Sequence, residues 1–295
     1  MSEELGGELW PYFVPLWADL RNIAPEVKLA GGYGLFLKQQ WLLSSADGLP
    51  PTLVPVQRWN EWRPRVTKDI DLVVEVNLIA SPGEQERLQA ALERHGFAVV
   101  PHNARWQFER ELEGDRSVLV DFHSPPPGLD RDDIRVAARR VKPRPSLGPV
   151  GIHGRENAQA VCSDLNPFTF MMAGAEIVLS NPVTLALMKL AATGDQYQAS
   201  RESAKTAGQR ALADGQASKH ATDLFRIAAM ITREENDCIP SVLDVTRRTE
   251  AFEDAREIFA ALFGKDDSWG TRVAAPMWRG EDNGLIRDTL SEWFR

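Results

Sequence analysis

Hydrophobic positions recur at helical spacing over residues 3–21, with Pro11 and Pro15 as interruptions. In VKLAGGYGLFLKQQWLL (27–43) a short apolar run meets paired glycines and then a helix-period stretch, which predicts a strand, a glycine turn and a helix. Residues 45–66 lose any period and are rich in Pro, Trp and Ser, the composition of a long excursion. IDLVVEV (70–76) is a β-branched run that reads as a buried strand. An amphipathic helix over 83–95 follows, then a strand at FAVV (97–100). WQFERELE (106–113) and SVLVDFHS (117–124) flank Gly114-Asp115, the signature of a hairpin. Arg131, Arg135 and Arg139 recur every four residues, which predicts a helix over 130–141 with one basic face. Two short strands are expected between Phe168 and Leu179.

After Pro182, itself well suited to a helix start, the pattern turns helical. Segments 182–193, 216–232, 241–248, 251–263 and 284–294 all read as helices, while the Gly-, Ala-, Ser- and Gln-rich residues 194–215 fit either a connection or a weak helix. The expected organisation is therefore an α/β domain over 1–180, a mixed sheet flanked by helices, followed by a helical domain over 181–295.

Composition narrows the function classes. With 295 residues, 43% hydrophobic and 26% charged, the chain has the make-up of an ordinary globular protein of about two domains. Its formal net charge of -8 argues against a general polyanion binder, so any nucleic acid must meet a local basic patch or metal ions. Arg131, Arg135, Arg139, Arg140, Lys142 and Arg144 form the best such patch. The two cysteines, Cys162 and Cys238, lie far apart and form no CxxC, which suits a reducing cytoplasm and gives no cysteine-based zinc site. The acidic start lacks the pattern of a signal peptide, and the most apolar stretch, 168–192, is broken by Glu176, Asn181 and Pro182, so no membrane association is expected.

The chemistry concentrates in three aspartates. Asp69 and Asp71 alternate at the head of a strand and so share one face. Side by side, two carboxylates repel each other unless a cation lies between them. Asp121 sits in a second apolar strand, where a charge is costly unless paired or metal-bound. If the two strands are neighbours, three carboxylates converge on a site for hard divalent cations such as Mg²⁺. His123, two residues on, would share the side of Asp121 and either touch that site or pack with a hydrogen-bond partner. Gly31 and Gly32, between strand and helix, let backbone N–H groups approach a phosphate. Trp41, Trp59 and Trp62 either stack on a base or pin the 45–66 excursion to a core.

The order of these features, a GG turn, then Arg65-x-Thr67-x-Asp69-Ile70-Asp71-Leu72, then a hydrophobic-Asp-hydrophobic strand, resembles the nucleotidyltransferase fold of the DNA polymerase beta superfamily. Leu187-Met188-Lys189-Leu190-Ala191-Ala192 and Lys219-x-x-x-Asp223-Leu224-Phe225 resemble the C-terminal motifs of AbiEii-type nucleotidyltransferases, toxins of type IV toxin–antitoxin and phage-defence loci. The resemblance spans roughly Val27 to Ile231. It implies that Gly31, Gly32, Tyr33, Arg65 and Thr67 meet the nucleotide, and that Asp69, Asp71 and Asp121 bind Mg²⁺, with Asp121 alternatively the base toward the acceptor hydroxyl. Lys189 and Lys219 would contact phosphates, and Asp223 would orient Lys219 or the acceptor. The implied reaction moves a nucleoside monophosphate from an NTP to a hydroxyl of a tRNA 3′ end or of a protein, and a cognate antitoxin is an implied partner. The sequence departs from the family in having Tyr33 where Ser or Thr is usual, His220 after Lys219, a long stretch between Gly32 and Asp69, and only Arg201 or Arg210 as candidates for the arginine after the Lys189 motif. Two rival readings are an antibiotic nucleotidyltransferase and a non-catalytic nucleotide-binding module.

Overall fold

A computed structural model describes residues 6–44, 51–60, 67, 69–101, 105–128, 130–148 and 151–295. The chain is mixed α/β and divides into two compact units, residues 1–44 with 65–180 and residues 45–64 with 181–295. Among the described residues no helix is long and apolar enough to cross a membrane.

The first unit is built on one mixed ten-stranded sheet. Helix α1 (Trp10–Ile23) precedes β1 (Lys28–Leu29), and α2 (Gly31–Ser44) starts immediately after the Gly31 turn. Then come β2 (Asp69–Val73), α3 (Val76–Ala80), α4 (Pro82–Arg94), β3 (Ala98–Val99), β4 (Gln107–Leu112) and β5 (Arg116–Ser124). The unit closes with β6 (Ile134–Val136), β7 (Arg140–Pro143), β8 (Gly154–Glu156), β9 (Phe168–Met172) and β10 (Ala175–Leu179). The strand order is β6-β7-β8-β5-β2-β1-β10-β9, with β3 and β4 attached through β5. Strand β5 runs parallel to β2 and to β8 and antiparallel to β4.

Alternation along these strands gives the sheet two different faces. One carries Ile70, Leu72, Val118, Val120, Phe122 and Val141, all buried. Phe108 stands edge-on to Phe122, with ring centres 5.8 Å apart. Helix α1 buries Phe13, Leu16, Trp17 and Leu20 at helical spacing, and Pro11 falls in its first turn, where a missing N–H costs nothing. Helix α1 is tied to the end of α4 through Asp19, which accepts from Arg94 and His95. The opposite face of β2 and β5 carries the polar residues.

The helix expected over 130–141 is a hairpin of β6 and β7 instead. Ala137 and Arg140 exchange backbone hydrogen bonds across Ala138 and Arg139, both in the left-handed region with φ of 53° and 58°. That is a tight turn whose twist matches the strands it joins. The four-residue arginine spacing therefore straddles a reversal of the chain rather than turns of a helix.

The second unit contains α5 (Pro182–Ala199), α6 (Ala207–Ala229), α7 (Arg233–Thr246), α8 (Glu250–Phe263), α9 (Trp269–Ala274) and α10 (Gly280–Trp293). The undecided residues 194–215 complete α5 and begin α6, whose start is fixed by a capping box of Thr206 and Gln209. A second box, Thr232 with Glu235, starts α7 well before residue 241. Residues 51–60 cluster with this unit rather than with their sequence neighbours in the first. Leu53 and Val54 donate backbone N–H groups to the carbonyls of Ile231 and Ala229. Trp59 is buried edge-on to Trp278, with ring centres 5.4 Å apart, so this tryptophan pins its segment to a core. Trp41, in the first unit, packs on Phe168 and Phe170. Trp62 lies outside the described residues.

Candidate functional site

Strands β2 and β5 pair in parallel with Asp71 opposite Asp121, Asp69 opposite Leu119 and Val73 opposite His123. Paired residues of neighbouring strands point to one face, so Asp69, Asp71, Asp121 and His123 share it. Asp121 is also opposite Gln107 of β4, which puts Gln107 on the same face. Asp121 and His123 are buried, and Asp71 is half-buried.

Each member of the cluster is held. Gln107 Nε2 donates to Asp121 Oδ1 at 2.7 Å. Thr67 Oγ1 lies 3.4 Å from the Asp69 backbone N–H at the start of β2. Asn157 Oδ1 accepts the Gln159 N–H at 3.1 Å, which turns its amide nitrogen toward His123 Nδ1 at 3.4 Å. An amide NH₂ only donates, so in the neutral ring Nδ1 would accept and the proton would sit on Nε2, which also carries a proton in the charged ring. That Nε2 faces Asp71 Oδ1 at 3.2 Å. His123 thus donates to one oxygen of Asp71.

Burial pushes the Asp121 carboxyl up to about 6, and the neighbouring Asp71 charge adds to this. The Gln107 hydrogen bond and His123 pull the other way, and Asp69 pushes it up further by a smaller amount. Both upward electrostatic pushes come from like charges, the condition a cation relieves. Asp71, Asp121 and His123 each bring one donor atom within 4.8 Å of the others, a grouping that could hold a metal ion.

Gly31 lies against this cluster. Its φ is +64°, and a Cβ built on it would overlap the Asp71 carboxylate. Ala30 donates its backbone N–H to the Asp71 carbonyl at 2.8 Å, which fixes the turn to β2. Helix α2 begins at Gly31, so the first unpaired N–H groups of a 14-residue helix open beside the acidic pair. Gly32 is buried in the same first turn.

Tyr33 does not offer its side chain to a ligand. Its hydroxyl donates to the Gly6 carbonyl at 3.0 Å, and its ring packs on Phe13 and Phe36 in the core, where burial raises its pKa far above the usual phenol value. Tyr33, which stands where the resembled family usually has Ser or Thr, thus has a packing role. Arg65 lies outside the described residues.

The remaining site residues belong to the second unit. Lys189 of α5 donates to Asp223 Oδ2 of α6 at 2.8 Å, and Arg226 approaches Asp223 Oδ1 at 3.7 Å. All three are buried. Asp223 therefore anchors Lys189, where the sequence motif suggested Lys219 as its partner. Lys219 is half-buried on α6. Arg201 lies over the Tyr197 ring at 3.4 Å, and Arg210 donates to the Lys205 carbonyl.

Sequence reasoning missed Gln107, Asn157 and Arg226. Gln107 and Asn157 reach the cluster only through strand pairing and a loop, and neither carries a local signal. Arg226 follows Asp223 by three residues on a helix, a spacing that could have suggested the pair.

No protein-family model matches the chain, and no curated protein or solved structure is significantly similar to it.

Proposed function

We propose that this protein is a divalent-metal-dependent nucleotidyltransferase of the AbiEii type, with the first unit a nucleotidyltransferase fold. In this reading it transfers a nucleoside monophosphate from an NTP to an acceptor hydroxyl and releases pyrophosphate. A tRNA 3′ end is the favoured acceptor and a protein hydroxyl the second. The observation that carries the proposal is the register of Asp71 opposite Asp121 on adjacent parallel strands, beside a glycine turn that opens a helix. The two C-terminal motifs around Lys189 and Asp223 favour this family over antibiotic-modifying relatives of the same fold.

The residues fit Mg²⁺. With His123 Nε2 engaged by Asp71, the donors left to a cation are carboxylate oxygens, the set a hard ion takes. A bound Mg²⁺ supplies positive charge against the phosphates and the developing negative charge at the reacting oxygens. The chain's own residues do the rest. Asp71 and Asp121 would hold the ion, and Gly31 and Gly32 let main-chain N–H groups approach the reacting phosphate closely. The acceptor oxygen forms a bond to the α-phosphorus as the bond to the β-phosphate bridging oxygen breaks. Its proton passes to a carboxylate, the role Asp121 would take as the alternative to holding the ion. The resemblance assigns Lys189 and Lys219 to phosphates, and Lys189 is already held by Asp223 within the second unit.

The test is label transfer from each α-³²P NTP to bulk RNA and, separately, to total protein, with Asp71→Ala as control. Mg²⁺-dependent label on tRNA-sized RNA, lost at least ~10³-fold in Asp71→Ala, is expected if that carboxylate stabilises the transition state by about 4 kcal/mol. Label on a protein band alone selects the second acceptor. Equal background from wild type and variant with every NTP and both acceptor pools overturns the reading.

A further inference from the structure

The polar face of the sheet does not end at His123. Strand β8 lies parallel to β5 with Arg155 opposite His123. Strand β7 lies antiparallel to β8 with Arg140 opposite Arg155. Strand β6 lies antiparallel to β7 with Arg135 opposite Lys142. Opposed residues share a face, and Arg140 and Lys142 are two apart on one strand. The face that carries Asp69, Asp71, Asp121 and His123 therefore continues directly into Arg155, Arg140, Lys142 and Arg135. The other face of the same ribbon holds Ile134 and Val141, both buried. At just under 5 Å per strand, the row reaches about 14 Å from β5 to the sheet edge at β6.

Two features mark this row as built for a ligand. Like charges placed directly opposite each other on paired strands destabilise a sheet, and here both opposed pairs, Arg140–Arg155 and Arg135–Lys142, are cationic. Among the described residues no carboxylate forms an ion pair with any of the four. The Lys142 ammonium is depressed from its usual value, first by partial burial and then by Arg135 and Arg140. The chain as a whole is acidic by 8 charges, so four uncompensated cations on one ribbon face stand out against its average. Arg155 also stacks its guanidinium 5.1 Å from the centre of the Trp106 ring, which keeps a half-buried indole beside the start of the row.

We propose that this ribbon face is a phosphate-binding track for a polynucleotide strand, which it lines up with the carboxylate cluster on the same sheet face. The proposal rests on the nucleotidyltransferase reading only in naming the strand as the acceptor; the track itself is argued from register and charge. A row of cations at regular strand spacing suits a partner with one charge per repeating unit. Three of the four are arginines, whose planar fork matches phosphate oxygens. An acidic protein segment has neither a tetrahedral anion nor a regular charge repeat, so a nucleic acid is the better fit. The hairpin also corrects the reason for the basic patch: Arg131, a member of the expected helix face, pairs with Asp133 instead, at 2.7 Å.

The test is fluorescence anisotropy of full-length wild type and of Arg135→Gln/Arg140→Gln/Lys142→Gln/Arg155→Gln against a labelled single-stranded RNA, a DNA of the same sequence and a labelled poly-glutamate. A charge-matched control, Arg248→Gln/Lys265→Gln/Arg272→Gln/Arg279→Gln, alters exposed cations of the second unit. Wild type and control should bind RNA alike. The ribbon variant should bind at least tenfold more weakly, with a log–log salt slope shallower by about 3, four phosphate contacts at roughly 0.7 each. Equal binding to DNA and RNA assigns the track to the phosphate backbone, and preference for RNA adds a contact to the ribose. Binding lost equally in variant and control, or poly-glutamate bound more tightly than either nucleic acid, overturns the track. Label transfer is scored separately. RNA binding through the ribbon without label transfer leaves the track and removes the nucleotidyltransferase reading; label transfer with undiminished RNA binding by the ribbon variant does the reverse.

Discussion

The two charged clusters of this protein are opposite in kind. In the first unit, Asp71 and Asp121 are like charges on adjacent strands, with Asp71 half-buried and the Asp121 proton affinity raised. In the second, Lys189, Asp223 and Arg226 are opposite charges, buried and joined by an ion pair of 2.8 Å and an approach of 3.7 Å. The first could hold a metal ion between Asp71, Asp121 and His123. The second pairs its opposite charges within the chain. Residues of both clusters look alike in sequence, as charges in apolar elements, but the first sets like charges side by side and the second sets opposite ones. The second holds Lys189 in one orientation, and its own stability depends on every member being present.

The comparison is broken most directly in the second unit. Asp223→Ala leaves Lys189 and Arg226 buried beside each other without their carboxylate, and removal of one partner from such a pair costs about 3–5 kcal/mol. Denaturant unfolding should show that loss. Adding Lys189→Met to Asp223→Leu should recover part of it, because two apolar side chains replace a half-broken pair. A loss below about 1 kcal/mol in Asp223→Ala would mean that the cluster is solvated and serves phosphates rather than the fold.

The equivalent change in the first unit has the opposite sign. Asp121→Asn keeps the acceptor for Gln107 and removes one of two repelling charges. In metal-free buffer it should stabilise the protein by an amount on the order of 1–3 kcal/mol, the scale of a rise of about two pKa units. In saturating Mg²⁺ the order should reverse. Wild type gains about 4.1 kcal/mol at a thousand times the dissociation constant, and a variant that cannot hold the ion gains nothing. Thermal melts with and without Mg²⁺ read both arms. Destabilisation in metal-free buffer would place Asp121 in a structural network like that of Asp223.

This contrast also explains which parts of the molecule were legible in the sequence. Asp69, Asp71 and Asp121 were readable because a carboxylate in an apolar strand is expensive, and their convergence needed only the pairing of two obvious strands. The hairpin at Gly114-Asp115 declared its turn. The hairpin at Ala138-Arg139 did not, since two non-glycine residues take left-handed φ there, and its flanking arginines imitated a helix. The allegiance of residues 51–60 depends on backbone pairing with residues near 230, which no local pattern encodes. Gln107 and Asn157 hold the cluster through register alone. Whether Lys189 serves phosphate or Asp223 is a question of burial, and the motif records only the residue types.

The smallest effect sharpens the first cluster alone. A carboxyl raised to about 6 in the folded chain, against roughly 3.9 when unfolded, carries an unfavourable charge at neutral pH. That cost is present above about pH 6 and is relieved as the pH falls through 6 toward 4, where the folded chain holds a proton that the unfolded chain gives up. A cation must displace the same proton. Mg²⁺ affinity, measured by calorimetry, should therefore be nearly level from pH 8 to 7 and fall by roughly tenfold per unit below about 6, the dependence of one competing proton. Asp121→Asn abolishes that proton, so any residual metal binding in the variant should be flat down to the ordinary carboxylate range. A wild-type affinity that is already flat to pH 5 would mean that Asp121 carries no excess proton affinity, and that the repulsion from Asp71 is relieved inside the chain, as the charges around Asp223 are.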